Sequence, residues 1–139
     1  MNNCIFCQII KGELPAVKVY EDADILAFLD IHPVNLGHIL IVPKTHYTSI
    51  LDTPDATLAK LISAVKKMAP AVLKAVNANS FNLGVNSGAP AGQVIFHTHF
   101  HIMPRHQGDG YKLWGAKAYG PGEMEKIGET IRGLLSNTL

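Results

Sequence analysis

A chain of 139 residues, 47% of them apolar, is long enough for one domain with a core of its own and needs no disulfide to staple it. Twelve Lys and Arg against eleven Asp and Glu leave a formal charge of +1, which argues against the broad basic footprint of a sequence-reading nucleic-acid binder, so any phosphate is held locally. The longest apolar runs, such as 39–42, are far too short to span a bilayer, and the N-terminus lacks a basic region followed by an apolar stretch, so the chain reads as a soluble, cytoplasmic protein without a membrane partner.

In chain order, Ile5, Phe6, Ile9 and Ile10 fall at helical spacing before Gly12, which predicts a short amphipathic helix. The only cysteines, Cys4 and Cys7, are spaced C-x-x-C, a pattern that in a cytosolic chain suggests metal or redox chemistry before a structural disulfide. Residues 17–20 and 25–29 read as a hairpin around a turn at 21–24, and 30–37 as a loop. A third strand spans 38–42 and ends at Pro43, with His38 at its start, where it reads equally well as an ordinary strand-end histidine. From Pro54 to Asn77 the apolar positions recur every three or four residues, a long amphipathic helix covering a sheet. Thr53 is its expected N-cap, Pro54 its first helical residue, and Pro70 is expected to kink or split it. Residues 80–86 alternate as a fourth strand, and 93–103 as a fifth. Beyond Arg105 a turn-rich stretch runs through Trp114 and Tyr119 to a final helix over 123–135. Strand-rich halves around one long helix predict an α+β domain, an antiparallel sheet with helices packed on one face.

The fifth strand carries His97, His99 and His101 at alternate positions, so the three imidazoles share one face and Phe96, Phe100 and Ile102 line the other, ready for a core. Three adjacent imidazoles suit a phosphate or a metal better than a core, although a half-exposed strand that happens to be histidine-rich is the plainer reading. The small-residue loop 86–92 runs straight into the triad and lets backbone N–H groups approach an anion closely.

The run His-Thr-His-Phe-His-Ile-Met fits a His-x-His-x-His-x-x signature. With Cys-Ile-Phe-Cys at 4–7, Leu-Asp-Ile-His-Pro at 29–33, Gly-His-Ile-Leu-Ile-Val-Pro-Lys-Thr-His at 37–46 and the Asn-x-Gly…Gly-Gln run at 86–93, the sequence resembles the histidine-triad (HIT) superfamily of nucleotide hydrolases and transferases. It is most similar to bacterial Hit proteins of the Hint branch. The resemblance covers residues 4–105 of a single 1–139 domain and leaves 106–139 as an extension that shapes specificity in this family. It implies a five-stranded antiparallel sheet with one long helix, paired into a homodimer through that helix and a continued sheet.

The resemblance also implies a chemistry, the hydrolysis of a purine nucleotide compound at its α-phosphate. His99 would be the nucleophile, forming a nucleotidyl-histidine that water then hydrolyses. His101 and His38 would be cationic donors to the non-bridging oxygens and leaving group. Gln93 and Asn86 would hold the phosphate or the leaving group, and Asp30 the ribose hydroxyls. Ile5, Phe6, Ile9, Phe28, Ile31 and Leu40 match the apolar purine slot, though hydrophobicity alone reads them equally as core. Cys4, Cys7, His46 and His97 match a structural zinc site of bacterial members, closed and so without a catalytic role, against the alternatives of a redox pair or two inert thiols. Nucleoside phosphoramidates are the expected substrates, and dinucleoside polyphosphates, or a non-catalytic purine-nucleotide-binding module, the alternatives. Val94 departs from the branch, which carries a serine there against the leaving group. A zinc hydrolase built on the triad itself is disfavoured, because alternate strand residues spread over ~13 Å. Trp114 and Tyr119 read either as site-reaching aromatics or as surface packing.

Overall fold

The structure, a computed structural model, describes residues 3–137. The two residues at each end of the expected 1–139 domain lie outside the described residues. The elements run α1 (Ile5–Ile10), β1 (Lys18–Glu21), β2 (Ile25–Leu29), β3 (Ile39–Pro43), α2 (Asp55–Ala75), β4 (Ser80–Gly84), a 3-10 turn at Ala89–Ala91, β5 (Phe100–Arg105) and α3 (Glu123–Ser136). All five strands pair antiparallel in the order β1-β2-β3-β5-β4. The chain divides into two compact units, one ending at Asp109 and one beginning at Gly110. In the second, Trp114 and Tyr119 are exposed and α3 forms where the sequence places it.

β2 and β3 are unbroken apolar runs because both faces of the sheet centre are covered. Ile25, Ala27, Ile39, Ile41, Phe100 and Ile102 pack beneath Leu61, Ala64, Val65, Met68 and Ala69 of α2. The intervening Leu26, Phe28, Leu40 and Val42 point the other way and meet Phe6 and Ile9 of α1. The two helices therefore lie on opposite faces, not on one face as the sequence suggested. A six-residue helix does not hold in water by itself, and burying Phe6 and Ile9, at about 2 kcal/mol each, is what keeps α1 in place.

Several local expectations are corrected. Thr53 does not cap α2: Pro54 takes the N-cap position in an extended conformation, and the buried Thr53 hydroxyl reaches the Ser49 carbonyl (2.7 Å) and the Thr98 hydroxyl (2.8 Å). α2 runs unbroken past Pro70, which lies on its exposed side, where water can reach the Lys66 carbonyl deprived of its partner. β5 begins at Phe100, so His97 and His99 precede the strand. The Pro43 carbonyl, at the end of β3, is taken by the His97 ring (2.8 Å) instead of by a ladder N–H, and Phe96 turns outward, 46% exposed. Gly37, just before His38, has φ +90°, and a Cβ there would stand 2.7 Å from Val76 Cγ1, so only glycine fits.

Among the described residues, no helix is long and apolar enough to cross a membrane.

Candidate active site and metal cluster

On the α1 face of the sheet a cavity of about 600 Å³ opens beside the triad. Ile5, Phe6 and Ile9 of α1, Phe28 of β2, Ile31 of the loop after β2 and Leu40 of β3 all line it. Their burial differs: Phe6 is buried in the core beneath the slot, whereas Ile31, 85% exposed, forms the lip. Asp30, His32, Asn86, His99 and His101 supply the polar part of the wall. Leu14, Pro15 and Ala16 add to the apolar wall with Leu29, Val94 and Ile95, and sequence reasoning missed them as lining residues. The signal of the first three was an apolar trio in a connection that makes neither helix nor strand.

The hydrogen bonds of the histidines fix their tautomers. His99 Nδ1 lies 2.7 Å from the His97 carbonyl, which can only accept, so Nδ1 carries the proton and Nε2 keeps its lone pair. His38 Nδ1 accepts from the Val34 N–H (3.0 Å), which leaves its proton on Nε2. That proton is donated to His101 Nδ1 at 2.9 Å. His101 in turn must carry its own proton on Nε2, and it lines the cavity while His38 stands behind it. An Asp30 carboxylate oxygen lies 3.6 Å from His38 Nε2, and the other accepts from the His32 N–H (2.8 Å). Asp30, His38 and His101 converge closely enough to suggest a metal site. The Val34 bond argues against one, because His38 cannot turn a bare nitrogen toward an ion while its only lone pair is engaged.

Burial holds these imidazoles neutral. It lowers the pKa of His99 and of His38 below the ordinary 6.5, outweighing the nearby Asp30 charge. Burial, with His99 and His38 adding to it, takes His101 to about 4. The expected cationic donors are thus neutral ones near pH 7, and a phosphate oxygen in the cavity would meet the His101 Nε2–H as a dipole. His38 acts on His101 and is not part of the cavity wall.

The Gln93 side chain is buried and fully hydrogen-bonded within the fold. Its side-chain oxygen accepts from the Gly88 N–H (2.9 Å), and its amide nitrogen donates to the Thr48 (2.7 Å) and Ile95 (3.1 Å) carbonyls. The amide is committed to shaping the loop before the triad, which leaves Asn86 as the side-chain amide on the cavity wall. Gly92 lets that loop pass close: at φ +100°, a Cβ would stand 3.2 Å from Asn86 Nδ2. Val94 is 81% exposed on the same wall and offers no hydrogen bond from its side chain.

The four predicted ligands meet. The thiol sulfurs of Cys4 and Cys7 and ring nitrogens of His46 and His97 all lie within 4.8 Å of one another. Cys4 Sγ is 3.4 Å from His97 Nδ1, Cys7 Sγ is 3.3 Å from His46 Nδ1 and 3.6 Å from His97 Nδ1, and the two Nδ1 atoms are 3.1 Å apart. A tetrahedral zinc with two sulfur and two nitrogen ligands has edges of about 3.3–3.8 Å, so the donor set fits. His97 Nε2–H is spent on the Pro43 carbonyl, which turns a bare Nδ1 toward the cluster, and burial lowers the ring's pKa to about 4. Burial and the neighbouring Cys4 raise the Cys7 pKa above its ordinary value.

Known proteins share this architecture. The HIT domain family model matches residues 11–108, which carry the sheet and the triad. The chain is 49% identical over 117 residues to adenylylsulfatase HINT3 of Arabidopsis thaliana, covering 84% of this chain but only 58% of that longer protein. It is 39% identical over 132 residues to adenosine 5'-monophosphoramidase hnt1 of Schizosaccharomyces pombe, covering 93% of this chain and 96% of that one. A HIT family structure from Bacillus subtilis superposes with TM-score 0.83 at 41% identity, over 94% of this chain and 96% of its own. A Zn-bound histidine triad family protein from Mycobacterium smegmatis gives 0.76 at 35% identity, over 99% and 96%. With the family model spanning the sheet and triad, and relatives well above 30% identity along most of its length, the chain belongs to the HIT family.

Proposed function

We propose that the protein is a purine nucleotide hydrolase that cleaves at the α-phosphate through a nucleotidyl intermediate on His99. The observation that carries this reading is the Nδ1–H of His99 bound to the His97 carbonyl, which presents a neutral, unprotonated Nε2 at the cavity wall. The base lies in the slot between Phe6, Ile9, Phe28 and Leu40, with Ile5 and Ile31 at its sides. Asp30, at the slot's polar end, accepts from the ribose hydroxyls. The α-phosphate then sits before His99, with the His101 Nε2–H and the amide of Asn86 as donors.

In the first step the Nε2 lone pair of His99 forms a bond to phosphorus, and the bond from phosphorus to the leaving group breaks. The ring becomes cationic while it keeps its Nδ1 proton, and the His97 carbonyl stabilises that charge. Water then attacks phosphorus and gives up one proton to solvent, replacing the one taken up by the leaving group, while the bond from phosphorus to Nε2 breaks with its electron pair returning to Nε2 and the nucleoside monophosphate is released. His38, fixed by the Val34 N–H, holds His101 in the donating tautomer. The names of two relatives support the adenylyl part of the reading: one is an adenylylsulfatase, the other an adenosine 5'-monophosphoramidase, so different leaving groups are paired with the same adenylyl moiety. Nucleoside phosphoramidates are the substrate class proposed. Val94 supplies no hydroxyl to the leaving group, so a departing amine takes its proton from water.

Cys4, Cys7, His46 and His97 would hold a structural zinc, supported by their converging donors and by the Zn-bound relative. Through these four residues a bound ion would tie α1 to the segment before β5, and it would supply no chemistry to the phosphate. A cytoplasmic homodimer through α2 and a continued sheet completes the proposal. The part-exposed Phe81 and Leu83 on edge strand β4, and Ile62 on α2, support that arrangement.

His99→Ala tests the reading. Turnover of adenosine 5'-phosphoramidate should fall by at least about 1,000-fold while AMP binding persists, because the nucleophile is lost and the slot is not. A variant that keeps a tenth of the native rate would refute it.

A further inference from the structure

The residues of α1 serve two sites in turn. Cys4, at its N-cap, and Cys7 face His46 and His97, whereas Ile5, Phe6 and Ile9 line the cavity. Phe6 stands between the two sites. Its ring meets the ring of His99 edge-on at 5.1 Å and that of His97 at 5.9 Å. His97 forms a second bridge, since its Nδ1 belongs to the Cys/His cluster while its backbone carbonyl accepts the His99 proton.

The helix carrying this arrangement has little stability of its own. It is six residues long and has neither an acidic residue in its first turn nor a basic one in its last. What positions it is the packing of Phe6 and Ile9 on the sheet, together with whatever fastens Cys4 and Cys7 to the two imidazoles. An ion in the cluster would fix α1 and with it the slot wall. A base in the slot, pressed against Ile5, Phe6 and Ile9, fixes α1 and with it the two thiols.

We propose that metal occupancy of the Cys4, Cys7, His46 and His97 cluster and nucleotide occupancy of the cavity are thermodynamically linked, each strengthening the other, with Phe6 as the positioning residue that couples them. This rests on the purine-nucleotide reading of the cavity. Linkage of this kind is reciprocal, so the factor by which zinc tightens the nucleotide equals the factor by which the nucleotide tightens zinc.

The test measures binding, not turnover, with zinc and AMP as probes. AMP affinity is determined by calorimetry on the zinc-loaded and the chelator-treated protein, with circular dichroism confirming that both are folded. Removal of zinc should weaken AMP by about 10-fold, inside the roughly 5–150-fold span of such couplings. Zinc competition against a chelator should show the same factor gained at saturating AMP. If the chelated protein unfolds, the competition on loaded protein decides, read beside Phe6→Leu: the gain given by AMP should shrink toward one in that variant, and an undiminished gain overturns the proposal. Equal AMP affinities with and without zinc overturn the linkage and leave the nucleotide reading standing. Failure of AMP to bind the zinc-loaded protein overturns both.

Discussion

Replacing His101 by Gln should make the protein relatively more resistant to acid, although a residue of the site is lost. The native ring is held neutral by burial and by His99 and His38, with a pKa near 4 against 6.5 in the unfolded chain. A lowered histidine pKa means that the unfolded state takes up the proton first. The ring's contribution to stability is therefore complete above pH 6.5 and is lost as the pH falls from 6.5 toward 4. Over that window a shift of this size corresponds to about 3 kcal/mol, and the ring's partial exposure reduces it to about 2 kcal/mol at pH 4.5. His101→Gln removes this proton uptake while keeping a side chain that can donate to the cavity. Urea unfolding of both proteins at pH 7.5 and 4.5 reads the effect, because loss of metal is common to both. The native protein should lose about 2 kcal/mol more than the variant between the two pH values. Equal losses would refute the argument that burial keeps His101 neutral.

Two further predictions concern catalysis. Since burial lowers the pKa of the attacking His99, log kcat/KM should stay level as the pH falls through 6.5 and decline only below it; an acid limb centred at or above 6.5, read from a pH-rate profile, would contradict a buried neutral nucleophile. Gln93→Ala removes a donor-acceptor set that pins Gly88, Thr48 and Ile95, so it should cost about 2–3 kcal/mol in chemical denaturation and loosen the loop beside Asn86, raising KM more than it lowers kcat.

The sheet was legible because its signals are local. β2 and β3 are apolar at every position, and α2 carries a stripe that repeats every three or four residues. The slot residues and the four sulfur and nitrogen donors were legible through family resemblance, since nothing in their spacing joins Cys4 to His97. What escaped depends on contacts between distant residues. The triad reads as one strand, yet the His97 ring captures the Pro43 carbonyl and the ladder ends at Phe100, one residue short of His99. Thr53 has the composition of an N-cap, but the Thr98 hydroxyl and the Ser49 carbonyl compete for it. Gln93 looked like a phosphate donor because a free amide and a committed one are the same letter. The neutrality of His38 and His101 follows from burial, which the sequence does not display. Leu14, Pro15 and Ala16 wall the cavity only because the chain leaving α1 folds back across it on its way to β1.

The central claim is that His99 attacks phosphorus. Its most direct test is mass spectrometry of the protein quenched without acid during turnover of adenosine 5'-phosphoramidate, with the modified peptide sequenced. The account predicts a single adenylyl group on His99, absent when His99 is replaced by Ala. An adenylyl group on His101 or His38, or full turnover with no adduct on His99 under conditions that preserve one, would contradict it.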